Sequence, residues 1–143
     1  MKFAVEVAVR WSDMDAYGHV NHARVATLLE DARIELFHNE MPRRGLDRFT
    51  GVVVARLAVD YLQPLVFDGE PIRVELWVVE IKAAAFVLRY AVRGRLDPRV
   101  LARAETLMAP YDVATSKPRR LTADERAFLT LWTVLDADGA AGA

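Results

Sequence analysis

Residues 21–38 read NHARVATLLEDARIELFH, and their period decides the architecture. Val25, Leu28, Leu29, Ala32 and Leu36 fall at i, i+3, i+4, i+7 and i+11, the single apolar stripe of an amphipathic helix. Asn21 suits the N-cap, because its side-chain oxygen accepts one of the backbone N–H groups that a first turn leaves unpaired. Pro42 and Gly45 close the segment. The spacing predicts one long helix of roughly five turns.

Working outward, every neighbouring segment carries the period of a strand. Upstream, Phe3, Val5, Val7, Val9 and Trp11 share one face and Glu6 and Arg10 the other, a half-buried strand that runs to Ser12. Downstream, the valine-rich stretch 51–62 ends in a turn with Pro64, Asp68 and Gly69. Ile72, Val74, Leu76 and Val78 then alternate with Arg73, Glu75 and Trp77, and Phe86, Leu88, Tyr90 and Val92 with Arg89, Arg93 and Arg95. Residues 100–112 alternate less cleanly. Short connections between these last three strands predict an antiparallel meander. Residues 117–120 read as a short solvated basic linker. Thr122 and Glu125 form a capping-box pattern before a short helix that reaches Trp132. Residues 136–143 are small and polar and read as a tail, so 1–135 is taken as one domain.

The order is strand, long helix, four strands, short helix. One helix must bury its stripe against one antiparallel sheet, since no other element is available to cover it. The expected class is α+β, a hot-dog fold in which a five-stranded antiparallel sheet wraps one long helix. Such a sheet leaves an edge exposed, which favours pairing of two copies as a homodimer or homotetramer.

Composition narrows the function classes. The chain has 143 residues and a formal net charge of -1, so no bulk electrostatic attraction to nucleic acid follows. There is no cysteine, which removes disulfides, thiolate metal sites and a cysteine nucleophile. Glu6 and Arg10 interrupt what would be a signal peptide's apolar stretch, and no apolar run approaches the ~20 residues that span a bilayer. A cytoplasmic protein with no membrane partner is the expectation.

The turn into the helix, WSDMDAYGHVNH at residues 11–22, concentrates Asp13, Asp15, Tyr17, His19, Asn21 and His22 beside a helix start. Unpaired N–H groups and the positive end of the helix dipole make such a place fit for an anion or a developing oxyanion. A carboxylate there serves as general base or nucleophile towards a carbonyl. Helix capping and an ordinary glycine turn at Gly18 explain the same residues without any chemistry.

The stretch WSDMDAYGHVNHARVATLLEDARIELF resembles hot-dog thioesterases of the 4-hydroxybenzoyl-CoA thioesterase type. The resemblance rests on Asp15, Gly18-His19-Val20-Asn21 and Glu30-Asp31-Ala32-Arg33, with a weaker match at Val59–Leu65 and Gly69. It covers nearly the whole chain. It implies an acyl-CoA thioesterase needing no cofactor or metal, CoA being part of the substrate. Asp15 then matches the catalytic carboxylate, as nucleophile or as base for water. Gly18 and the backbone N–H near His22 match the groups that polarise the thioester carbonyl, and His19 and Asn21 the polar positions beside the carboxylate. His22 and Val25 stand where relatives often carry Asn and an aromatic residue, beside the expected acyl site.

Other residues carry two readings. Tyr17 either lines the acyl pocket or is an exposed loop tyrosine. Glu30 lies near the helix position where another thioesterase branch places its acid, but its spacing to Arg33 is that of a surface ion pair. It sits about 140° from Val25 at ~100° per residue, facing solvent or a partner subunit. Asp13 reads as a turn or surface residue. Lys117, Arg119 and Arg120 either meet CoA phosphates or are simply solvated. Two other functions compete with hydrolysis. One is an enoyl-thioester hydratase, against which the four-residue spacing of Asp15 and His19 counts. The other is a non-catalytic acyl-CoA-binding domain.

Overall fold

The structure is a computed structural model that describes residues 1–134; the predicted tail at 136–143 lies outside them. The elements are β1 (Phe3–Val7), α1 (His22–Ile34), a π-helical turn (Glu35–Glu40), α2 (Met41–Arg43), β2 (Val52–Tyr61), β3 (Ile72–Ile81), β4 (Phe86–Gly94), β5 (Val100–Asp112), β6 (Lys117–Pro118) and α3 (Ala123–Leu131). The five main strands pair antiparallel in the order β1-β3-β4-β5-β2, and β6 adds two residues beside β5. This is the predicted hot-dog arrangement, with the late strands as the predicted meander.

The sheet wraps α1 because both carry the matching apolar face. Val25, Leu28, Leu29, Ala32 and Leu36 are all buried, as are Val74, Leu76, Val78, Leu88, Tyr90, Val92, Ala102, Ala104 and Met108 opposite them. Each fully buried leucine or valine contributes about 2 kcal/mol relative to exposure, so the stripe dominates the stability of this layer. Phe37, Phe49 and Phe86 close the far end, with ring centroids 4.8 to 5.8 Å apart. α3 covers β1 and β3: the Val78 N–H donates to the Trp132 carbonyl at 2.9 Å and the Val134 N–H to the Val78 carbonyl at 3.1 Å, where β3 carries a bulge. Its predicted capping box is formed, the Thr122 N–H donating to Glu125 at 2.9 Å and the Glu125 N–H to Thr122 Oγ1 at 3.1 Å.

Three details differ from the sequence expectation. β1 stops at Val7 rather than Ser12, because Asp13 accepts the Arg10 N–H at 2.8 Å and folds Trp11–Asp13 into a 3-10 turn. Trp11 is therefore 75% exposed instead of sharing the inner face. The long helix does not end near His38. It re-registers through the π turn, carries Pro42 within α2 and is closed by Gly45 at φ 78, whose N–H donates to the Pro42 carbonyl. Lys117–Arg120 is not a free linker. Lys117 and Pro118 pair with Asp112 and Tyr111, and Arg119 is held by Glu125 at 2.7 and 2.9 Å and by the Gly51 carbonyl.

β2 is the exposed edge. Its register with β5 puts Leu57 and Val59 on the helix side, opposite Thr106 and Ala104; Val59 packs against the core and Tyr61 meets the start of α1, but Leu57 is left exposed. Val53, Val54 and Leu57 are each at least 40% exposed.

Candidate functional site

The turn before α1 is built around Asp15. Its Oδ1 accepts the Tyr17 N–H at 2.9 Å and the His19 N–H at 3.4 Å, an Asx-type turn. Its backbone N–H donates to the His19 carbonyl at 2.9 Å, and its carbonyl accepts the Gly18 N–H at 3.2 Å. Gly18 adopts φ 75, and nothing stands within 4 Å of the place its Cβ would occupy, so glycine is required there by backbone conformation rather than by space. Two short bridges, Met14 with Val20 and His19 with Val66, lay this turn against the loop after β2.

Asp13 is buried to 1% exposure rather than lying at the surface, because its carboxylate caps the 3-10 turn and its carbonyl accepts the Asn21 N–H at 2.8 Å. Asn21 is the N-cap, with Oδ1 accepting the Ala23 N–H at 2.9 Å. Above it, the His22 N–H has no hydrogen-bond acceptor among the described residues. That leaves one donor of the helix start available, at the positive end of its dipole.

Asp15, His19, His22 and Val25 line one groove of about 330 Å3, completed by Val20 and by residues 61–65. Four of the residues singled out from the sequence thus meet. Four do not line it. Tyr17 is 85% exposed. The Gly18 N–H is taken up within the turn, the Asn21 side chain is occupied in capping, and Glu30 lies two turns further along α1.

The far wall, from Tyr61 to Leu65, was not predicted as site. Tyr61 donates its hydroxyl to the His22 carbonyl at 2.8 Å, and the two rings meet edge to face at 6.4 Å. Partial burial pushes the Tyr61 phenol up from its ordinary value. Nothing in the local period of residues 52–61 marks Tyr61 as a site residue; only the packing of β2 against the helix start brings it there.

Glu30 and Arg33 form the expected i, i+3 ion pair, but only one side of it lies at the surface. Glu30 is exposed, but Arg33 is buried, and they stand 3.9 Å apart. The Arg33 guanidinium also donates, through its other terminal nitrogen, to the Tyr90 hydroxyl at 3.2 Å, which is 2.9 Å from Thr106 Oγ1. Burial raises the Tyr90 phenol against the opposing pull of Arg33 and Thr106. The sheet curls far enough round α1 to enclose this flank, about 80° from Val25 at ~100° per residue.

Among the described residues no three His, Asp or Glu side chains converge to hold a metal ion. No helix among them is long and apolar enough to cross a membrane.

Residues 9–129 match the model of the thioesterase-like superfamily. The chain belongs to that superfamily. It thereby stands among the thioester hydrolases, and the match spans the turn, the helix and four of the five main strands, β2 to β5. Among solved structures it is similar to a thioesterase of Thermus thermophilus complexed with coenzyme A and zinc, at 26% identity and a TM-score of 0.73, covering 90% of this chain and 92% of that one. It is also similar to a 1,4-dihydroxy-2-naphthoyl-CoA thioesterase of Synechocystis, at 18% identity and TM-score 0.76, covering 96% and 98%. A second Thermus thermophilus protein aligns at 24% identity and TM-score 0.78, covering 94% and 99%. At the lower identities the likeness concerns the fold. No curated protein matches the sequence significantly.

Proposed function

We propose that this thioesterase-superfamily chain hydrolyses an acyl-CoA thioester to the free acid and CoA, with Asp15 as nucleophile or general base. The observation that carries the reading is the pairing, in one groove, of a carboxylate and a helix start. Asp15 Oδ1 is occupied by the turn, while Oδ2 has no hydrogen bond among the described residues, and the His22 N–H is unpaired. A thioester carbonyl oxygen set on that N–H would gain stabilisation as negative charge develops on it.

In the general-base route Oδ2 takes a proton from water, the water oxygen bonds to the carbonyl carbon, the C–S bond breaks, and the thiolate leaves to recover the proton. In the nucleophile route Oδ2 bonds to the carbon, the thiolate leaves, and water then cleaves the mixed anhydride. His19 stands beside the carboxylate and is assigned a supporting role in orienting water or carrying protons. His22 and Val25 are assigned to the substrate side by direct lining of the groove, whereas Tyr17, Gly18, Asn21 and Glu30, also singled out from the sequence, stand outside its lining. Neither route needs a metal or a cofactor beyond the CoA of the substrate. The CoA-bound relative supports CoA as the carrier.

The exposed apolar edge of β2 supports a homo-oligomer paired through that strand. A cytoplasmic location, expected from the sequence, is part of the proposal. Lys117 and Arg120 remain available for CoA phosphates, whereas Arg119 is committed to Glu125.

The test is a panel of acyl-CoAs from acetyl to palmitoyl, with aromatic ones, in which free thiol is followed over time. Thiol release that disappears in Asp15→Asn supports the reading. Absence of release from every substrate, or full activity in Asp15→Asn, overturns it. A hydratase would consume an enoyl-CoA without freeing thiol.

A further inference from the structure

We infer that Tyr61 is a positioning residue for this site, holding the first turn of α1 and the His22 ring against the end of β2 beside Asp15. The inference rests on the thioesterase reading for its kinetic consequence, but not for its geometry. Tyr61 is the last residue of β2, paired with Ala102, and is 39 residues from His22. Its hydroxyl donates to the His22 carbonyl at 2.8 Å, its ring meets the imidazole at an interplanar angle of 87°, and both residues line the groove that holds Asp15.

The bond is additional to the helix ladder. A carbonyl has two lone pairs, and the one at the first residue of a helix already accepts from the N–H four residues on. Tyr61 therefore adds a sideways tie to a helix that is already formed. The tie acts on two things at once: it anchors the first residue of α1, which carries the unpaired N–H, and its ring contact sets the side-chain position of His22. Catalytic groups misplaced by about 1 Å can lose as much as 100-fold in rate, so a tie of this kind acts on turnover. An ordinary tyrosine phenol, with a pKa of about 10, is already a donor through the neutral range, and burial pushes that of Tyr61 further up.

Tyr61→Phe removes the donor and keeps the ring. With the acyl-CoA turned over fastest, kcat is expected to fall about tenfold, with KM within about twofold and the melting temperature nearly unchanged. Tyr61→Leu, which also removes the ring contact, is expected to lose more in kcat. Unchanged kcat in Tyr61→Phe overturns the inference. So does a loss of kcat that only follows a large drop in melting temperature, since that marks a merely structural bond. If the wild type releases no thiol at all, the thioesterase reading fails and the tie is read independently by NMR. Tyr61→Phe should then shift the His22 imidazole signals and the amides of residues 22–24. An unchanged spectrum overturns the tie itself.

Discussion

Asp15 Oδ1 accepts the Tyr17 backbone N–H at 2.9 Å, so one oxygen of this carboxylate shapes the turn while the other has no hydrogen bond among the described residues. The division separates two roles that the sequence alone superimposes. Asn at position 15 keeps an Oδ1 acceptor and so keeps the turn, but it can neither take a proton nor attack a carbonyl. Asp15→Asn should therefore fold with a melting temperature close to the wild type and lose at least about 100-fold in kcat. Asp15→Ala should lose the same activity and about 1 kcal/mol of stability as well, since it leaves the turn N–H groups without their acceptor. Thermal melts beside thiol-release assays check both.

The Arg33–Tyr90–Thr106 chain predicts a cost for a single oxygen atom. Tyr90→Phe takes from the buried Arg33 guanidinium and from the Thr106 hydroxyl the hydroxyl each of them meets, leaving Arg33 its 3.9 Å contact with Glu30. A loss of about 2 kcal/mol in urea unfolding is expected. A loss below about 0.5 kcal/mol would mean that Glu30, 3.9 Å away in the native structure, closes onto Arg33 and replaces the bond.

Glu125 links stability to pH. Burial raises its carboxyl, but Arg119 and the Thr122 cap outweigh that effect and hold it below the ordinary value. A folded pKa below the unfolded one means the stabilisation is fully present above the unfolded value, about 4.3, and is lost as pH falls through the folded value. Glu125→Gln should cost about 1–3 kcal/mol at pH 7 and flatten the decline in stability below about pH 4.5. Denaturant titrations at a series of pH values read both slopes.

The uncovered β2 edge predicts assembly. Wild-type protein should sediment at twice the chain mass or at a higher even multiple. Leu57→Lys, on a strand already exposed on its helix side, should shift the population to monomer at micromolar concentration. Retention of the wild-type mass by this variant would place the interface elsewhere.

Much of the fold is legible in the sequence because local period and tertiary burial coincide there. The stripe from Val25 to Leu36 and the alternation from Ile72 to Val78 point at the same core, and both are buried as read. The failures share one cause. Local spacing fits more than one environment, and a partner distant in the chain decides between them. The i, i+3 spacing of Glu30 and Arg33 gives the ion pair as read, but Tyr90, 57 residues away from Arg33, takes the guanidinium off the surface. Arg119 reads as a solvated linker residue until Glu125 and the Gly51 carbonyl enclose it.

By itself the sequence determined the order of elements, the helix caps at Asn21 and Thr122, and the concentration of polar groups before α1, because each depends on residues within one or two turns of each other. The tertiary structure alone decided which of those groups face a common groove, which oxygen of Asp15 is free, and that Tyr61 completes the wall. Those outcomes depend on where β2 and the loop after it land against the helix start. That placement is set by strand register and sheet curvature, which act across 39 or more residues and leave no period in the chain.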